Sequence, residues 1–293
     1  MAEKKKEKKN KKGMSKLSKQ SLLVLGVIAA VFLAFQFGGW QIGLIVAGVV
    51  LVALLIWHWP TILTLMGQRE YALGNNTKAL KYLKSAHEHG RSNAAHSSTY
   101  AYILLRCGRA EDARFVANYA LMNKRNSESD KNQIRQILSL ICYKQGDYAE
   151  ATKIMEELFV TYKTTTVYGT LGYYKILSGS EDMYSFNEEA YEYNSDNKVI
   201  IDNKIILHLK KEEYEEARSL SQKSIDAGNQ GVEIYYHAGQ AEEGLGNTEK
   251  ALEYYRMARS CTRSFMTTIS EAEIEAAIDR LDDMETEETE DEA

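Results

Sequence analysis

The chain has 293 residues, a formal net charge of −5, one proline and three cysteines, which leaves room for a sizeable core and little to interrupt helices. Cys107, Cys142 and Cys261 stand far apart, without CxxC or metal-ligand spacing, so a zinc ribbon is excluded and the redox compartment is left open. The charge is segregated: residues 1–20 carry nine lysines against two glutamates, and residues 271–293 carry twelve acidic residues against Arg280 alone.

Residues 1–19 form a Lys-rich tail. Behind it, Ser21–Trp57 reads SLLVLGVIAAVFLAFQFGGWQIGLIVAGVVLVALLIW, without one Asp, Glu, Lys or Arg. As a single helix it would be ~55 Å long, against the ~30 Å of a bilayer core. Gly38 and Gly39 supply a break, so two short helices, about 20–37 and 41–57, are expected to form a transmembrane hairpin within 20–59. Both are near the lower length limit, and a spanning or a re-entrant hairpin fits. Gly26, Ala30 and Ala34 in the first helix, with Gly43 and Ala47 in the second, are spaced for close helix packing. Trp40, Trp57 and Trp59 suit the membrane interface.

An apolar run followed at once by a second one does not read as a cleaved signal peptide. The N-terminal lysines place the N-terminus in the cytoplasm, and Arg69, Lys78, Lys81 and Lys84 after the second helix place the body there too. The expectation is a multi-pass protein of the cell membrane with both termini cytoplasmic. The lysines either set this topology alone or also bind anionic lipid headgroups. They have no Arg or aromatic interleaving, so nucleic acid is not an expected partner.

The body, 60–268, repeats a phrase: ALGNNTKAL, RCGRAEDAR, YKQGDYAEA and GLGNTEKAL. Its glycine position falls at Gly74, Gly108, Gly146, Gly179, Glu212 and Gly246, with spacings of 34, 38, 33, 33 and 34 residues. Five residues on stand Ala79, Ala113, Ala151, Tyr184, Ala217 and Ala251; twelve on stand Ala86, Ala120, Leu158, Tyr191, Ser224 and Ala258. Gly67, Gly172 and Gly239 lie seven residues before it. A period of about 34 with these small residues resembles the tetratricopeptide repeat family over about two-thirds of the chain. The resemblance lacks the family's repeat-end proline and its helix-A tryptophan, and is weakest in the fourth and fifth repeats.

It implies an all-α fold: a right-handed solenoid of about six helix pairs, each turning at its glycine, with small residues where the helices cross. Ser270-Glu271-Ala272-Glu273 then opens a capping helix (269–284), with Ala272, Ile274, Ala277, Ile278 and Leu281 on its apolar face. The acidic tail 285–293 is expected to be disordered. It either solubilises the chain or competes for basic positions on the array.

The resemblance also implies a concave groove lined by the first helix of each pair. Tyr102, Leu105, Arg106, Leu140, Tyr143, Lys144, Tyr173, Ile176, Ile206, Leu209, Lys210, Gln240 and Glu243 fall at its positions, and Tyr236, one helical turn before Gln240, adds to them. Tyrosines among scattered cations suit a peptide bearing aromatic and acidic groups; the same tyrosines also suit packing between repeats. There is no phosphate-binding G-x-x-x-x-G-K-[ST], no G-x-S-x-G and no H-E-x-x-H, and His87, His89 and His96 lack companion ligands. No cofactor, metal or enzymatic activity is expected. The expected function is a membrane-anchored adaptor, bacterial in type, that presents a groove to a protein or peptide partner. The alternative is a regulatory or assembly subunit that contacts a membrane enzyme through the hairpin.

Overall fold

The computed structural model describes the backbone of residues 2–291 and the side chains of residues 24–283. Among the described residues every regular element is a helix. The chain divides into two compact units, Met1–Ser92 and Asn93–Ala293. The charges of the Lys-rich residues 1–19 and the acidic residues 285–293 lie on side chains outside the described ones; in backbone, the capping helix runs past 284 to Asp291, so residues 285–291 are helical where disorder was expected.

The first unit holds α1 (Ala2–Trp57), α2 (Trp59–Ala72) and α3 (Asn76–Glu88). Helix α1 is broken at Gly39, whose φ of 71° and ψ of 176° are not helical. Only glycine takes such a conformation without steric cost. The covered positions on either side form two stripes at helical spacing, Val27, Val31, Ala34 and Gly38 before the break, then Gly43, Val46, Ala47 and Val50 after it. A Cβ at Gly43 would lie 2.3 Å from the Phe35 ring. Gly26 and Ala30 are exposed instead, and nothing lies within 4 Å of a Cβ at Gly26. Val24–Trp57 is long and apolar enough to cross a membrane, with a mean hydropathy of 2.4. Trp40, Trp57 and Trp59 are exposed, and the Arg91 guanidinium lies 4.5 Å from the Trp57 ring centre.

The second unit stacks helix pairs: α4 (Ala94–Arg106) with α5 (Ala110–Met122), α6 (Glu128–Lys144) with α7 (Tyr148–Phe159), and α8 (Thr165–Ser178) with α9 (Met183–Tyr193). Then follow α10 (Lys198–Lys210) with α11 (Tyr214–Asp226), α12 (Val232–Gly244) with α13 (Thr248–Ser260), and finally α14 (Glu271–Asp291). The repeat spacing of 38 residues is explained by α6, which runs 17 residues where α4 runs 13. It starts at a reciprocal cap between Ser127 and Asp130.

All six turn positions adopt positive φ: 79° at Gly74, 75° at Gly108, 79° at Gly146, 67° at Gly179, 59° at Glu212 and 78° at Gly246. Each closes its helix with the same two bonds, as in Gly146 N–H to Tyr143 O (3.0 Å) and Asp147 N–H to Cys142 O (2.9 Å). Glu212 makes the pair equally well, at 3.0 Å from Leu209 O and, through Glu213, 3.0 Å from His208 O. It is the single non-glycine residue at positive φ among the described residues.

The small residues sit where backbones cross. Ala79, Ala113, Ala151, Ala217 and Ala251 are fully buried, and a Cβ at Gly239 would lie 2.6 Å from the Tyr255 ring. The fourth pair departs from the expected register. Its turn is longer, with α9 opening at Met183, four residues after Gly179. Tyr184 and Tyr191 therefore miss the crossing, and Asn187 and Ala190 fill it. Asn187 donates to Gly172 O (3.2 Å), while Asn203 donates to Gly169 O (2.9 Å) and to Asn187 Oδ1 (3.2 Å), a buried ladder joining α8, α9 and α10.

Helix α14 opens at the expected cap, with Ser270 N–H donating to Glu273 (2.6 Å) and Glu273 N–H donating to Ser270 Oγ (3.1 Å). Ile274, Ala277, Ile278 and Leu281 are buried against α13, and Ala272 is exposed, one residue off that face.

Candidate functional site

The face built by α6, α8, α10 and α12 carries a cavity of about 330 Å³. Tyr143, Tyr173 and Tyr174 form one wall, Asp202 and Asn203 another, and Thr268 closes it. The first helices come together here because their opposite faces are anchored by the apolar positions Leu138, Ile141, Leu171, Ile205 and Ile234, all buried. The polar and aromatic residues one or two positions away are then left on the open side.

Tyrosine rings link consecutive pairs across this face. Tyr143 on α6 stacks on Tyr174 on α8, with ring centres 5.3 Å apart, and meets Tyr173 edge-on at 6.0 Å. Burial raises the phenols of Tyr143, Tyr173 and Tyr174 above their ordinary value. Deeper in the body, Tyr168 packs against Phe159, Phe186 and Tyr193; burial, with the Glu189 carboxylate accepting its hydroxyl at 2.7 Å, pushes its phenol up to about 12. Tyrosines in this chain thus serve both purposes, core packing and surface.

Towards α4 the face turns cationic. Tyr102 is half-buried and Arg106 exposed, with the Arg106 guanidinium donating to the Tyr102 hydroxyl at 3.2 Å. Lys144 lies 5.1 Å from the Tyr143 ring centre and makes no ion pair among the described residues; burial lowers its pKa. Leu105 and Ile176 are buried and belong to the core rather than the face. Leu140, Ile206 and Leu209 are half-buried, and Lys210 is exposed at the C-terminal end of α10.

At the other end, α14 covers what was expected to be groove. Glu243 accepts a bidentate pair from Arg280 (Nε to Oε1 3.0 Å, Nη2 to Oε2 2.8 Å) and the Tyr255 hydroxyl (2.6 Å). Tyr236 is packed 5.4 Å from Tyr255 and its phenol is raised by burial, with the Glu273 carboxylate adding to it. Gln240 is half-buried between them in sequence. Glu243 and Tyr236 therefore hold the cap, because a bidentate arginine fixes the cap's orientation as a single cation would not.

One participant was missed in the sequence. Residues 261–270, between α13 and α14, extend onto the face and put Phe265 among its cations. The Phe265 ring centre is 4.8 Å from the Arg106 guanidinium, 4.8 Å from the Lys144 ammonium and 6.1 Å from the Tyr102 ring. Thr268 N–H donates to Glu233 (2.9 Å), and Ser264 N–H donates to Thr267 Oγ1 (2.9 Å), so the segment is held by bonds of its own. The available signal was a phenylalanine alone among hydroxyl residues in RSFMTT.

His96 takes part in the α4 cap with Asn93, and no group of metal-ligating side chains occurs among the described residues. Cys142 is buried, Cys107 and Cys261 are half-buried, and burial raises all three thiols, which leaves them poor nucleophiles.

Residues 203–264 match the sequence model of the tetratricopeptide repeat. No curated protein matches the sequence. Among solved structures, a tetratricopeptide repeat protein from Parabacteroides merdae superposes with a TM-score of 0.62 at 14% identity, covering 87% of this chain and 97% of its own. PilW, a widely conserved type IV pilus biogenesis factor, gives 0.56 at 14% identity over 69% of this chain and 92% of its own. Pseudomonas aeruginosa pilF gives 0.54 at 17% identity over 68% and 90%. With six turns in one geometry, crossings on small residues and a final capping helix, the body of this chain has the fold of a tetratricopeptide repeat array, and residues 203–264 match the repeat in sequence.

Proposed function

We propose that this protein is a membrane-anchored adaptor whose repeat array captures a protein or peptide partner on the cytoplasmic side. The observation that carries the reading is the face of Tyr102, Arg106, Tyr143, Lys144 and Tyr173, drawn from α4, α6 and α8, with Phe265 between the α4 and α6 residues. Such a face offers ring area at low entropy cost together with cations for acidic groups. The anchor is α1: Val24–Trp57 is exposed and apolar, its Gly39 break and the half-covered stripes on either side fit a hairpin, and Trp40 and Trp57, with Trp59 after it, fit the interface. Anchoring raises the effective concentration of the array at a membrane-bound partner without adding contacts. The N-terminal lysines add attraction to anionic lipid in this reading.

The test is in-cell crosslinking of the native protein against a Tyr143→Ala, Lys144→Ala, Tyr173→Ala variant with retained helicity. Loss of one membrane-proximal partner supports the groove; an unchanged partner set refutes it. A second reading, an assembly or regulatory subunit working through α1, draws on Gly26 and Gly48, which have nothing within 4 Å and leave flat strips open to another helix. Exchanging the hairpin for an unrelated one would remove partners under that reading alone.

A further inference from the structure

The segment 261–270 leaves α13, crosses to α4 and α6, and returns to open α14. A connection needing only to join α13 to α14 has no reason to place a ring beside α4. The segment is held at its base by Thr268 on Glu233 and by Arg263 on the Ile269 carbonyl, while Met266 at its tip remains exposed. Phe265 is half-buried, and its described neighbours are two cations and the edge of Tyr102.

We infer that Phe265 is an internal occupant of the partner site, and that the partner segment replacing it carries an aromatic residue flanked by carboxylates. The ring satisfies the aromatic part of the site by facing the guanidinium and ammonium with its π-system. It leaves the charge unsatisfied: Lys144 makes no ion pair among the described residues, burial lowers its pKa, and the residues beside Phe265 are Ser264 and Met266. A partner with an acidic residue next to its aromatic one supplies both, and so has the advantage over the tethered loop. The tether matters because a covalently attached competitor acts at a millimolar effective concentration. Weak partners are excluded by it, and those that also neutralise Lys144 displace it.

This inference rests on the groove reading above, and its test is separable from it. The probe is a labelled heptapeptide with phenylalanine between aspartate and glutamate in a Gly/Ser context, titrated against full-length protein in detergent. Phe265→Ala is expected to bind it about ten-fold more tightly than the wild type, the factor by which a mostly closed competitor lowers apparent affinity. Thr262→Ala, on the same loop, exposed and outside the cavity, is expected to match the wild type. Phe265→Leu, which keeps apolar bulk and loses the ring, should fall between them. Adding Lys144→Ala to Phe265→Ala should weaken binding about five-fold, as should exchanging the peptide's acids for serine. Equal binding by wild type and Phe265→Ala, tight or absent, overturns the inference, with Phe265→Leu guarding against a folding artefact. If the peptide results hold while the groove variant keeps all its crosslinked partners, the displaced occupant is real and the adaptor reading falls. The converse pair of results leaves the adaptor and removes the occupant.

Discussion

Glu212→Gly should stabilise this protein. Glu212 sits at φ 59°, where every equivalent turn has glycine, and its side chain is exposed. Holding a residue with a Cβ in that region costs about 1–2 kcal/mol. A carboxylate beyond the C-terminal end of α10 faces the negative end of the helix dipole, at roughly 0.3–1 kcal/mol. Against both stands the greater freedom of glycine in the unfolded chain, about 0.5–1 kcal/mol. The balance is a gain of about 1 kcal/mol, or roughly 2–4 °C in melting temperature for a chain of this size. The reciprocal change, Gly246→Glu, creates the same strain at φ 78° and should lose about as much. Thermal unfolding of the full chain in detergent, followed by circular dichroism, reads the sign. Hydrogen exchange should locate the change in α10 and α11, since neighbouring pairs in an array are only locally coupled. If Gly246→Glu destabilises while Glu212→Gly is neutral or harmful, the strain argument is refuted, and the Glu212 side chain contributes something its exposure does not reveal.

Gly172→Ala should cost about 3 kcal/mol, because the new methyl would stand 2.2 Å from Asn187 Oδ1 and break a buried amide ladder; denaturant melts check it, and a loss below ~1 kcal/mol would show the ladder relaxes. Lys175 is buried and bonded to Glu156 and to Asp182 (2.9 Å). Lys175→Met should cost only about 1 kcal/mol, since both carboxylates are half-exposed and rehydrate, whereas the Glu156→Ala, Asp182→Ala pair strands a buried cation and should cost about 3. His237 is buried and bonded to Asp202 at 2.8 Å; burial opposes its charge, and the Asp202 carboxylate prevails and raises its pKa above the ordinary 6.5. The stabilisation is therefore fully present below pH 6.5 and is lost as pH rises through the raised value. Melting temperature should fall across that window in the native protein and stay level in His237→Gln.

The repeat frame was legible because it rests on local chemistry. A glycine that must take positive φ, and an alanine where two backbones meet, recur at fixed distances whatever surrounds them. Glu212 was placed by register alone, and the structure gives it the same two closing bonds as the glycines. The fourth pair was misread because its turn is longer, a change in loop geometry that moves Asn187 and Ala190 into the positions Tyr184 and Tyr191 were expected to hold. Tyr143, Lys144 and Tyr173 were found for the same reason as the turns, by counting back from the glycine. Glu243 occupies the position equivalent to Tyr143, with Tyr236 two turns before it on the same helix, but α14 lies over them, and no local rule says where an array stops offering its face. Phe265 contacts residues about 120 and 160 positions away in sequence, and periodicity carries no information about such returns.

The cap and the Phe265 segment are consecutive in the chain yet fastened separately. Helix α14 is secured by its own Ser270–Glu273 start, by Arg280 on Glu243 and by Ile274, Ile278 and Leu281. The segment before it is fastened through Thr268 and the Phe265 ring. Lifting the ring therefore need not peel the last helix from the array, and the greasy end of the stack stays sealed while the face is vacant. A protein built this way can wait, engaged with nothing, at high density without the capped ends of its arrays adhering to one another.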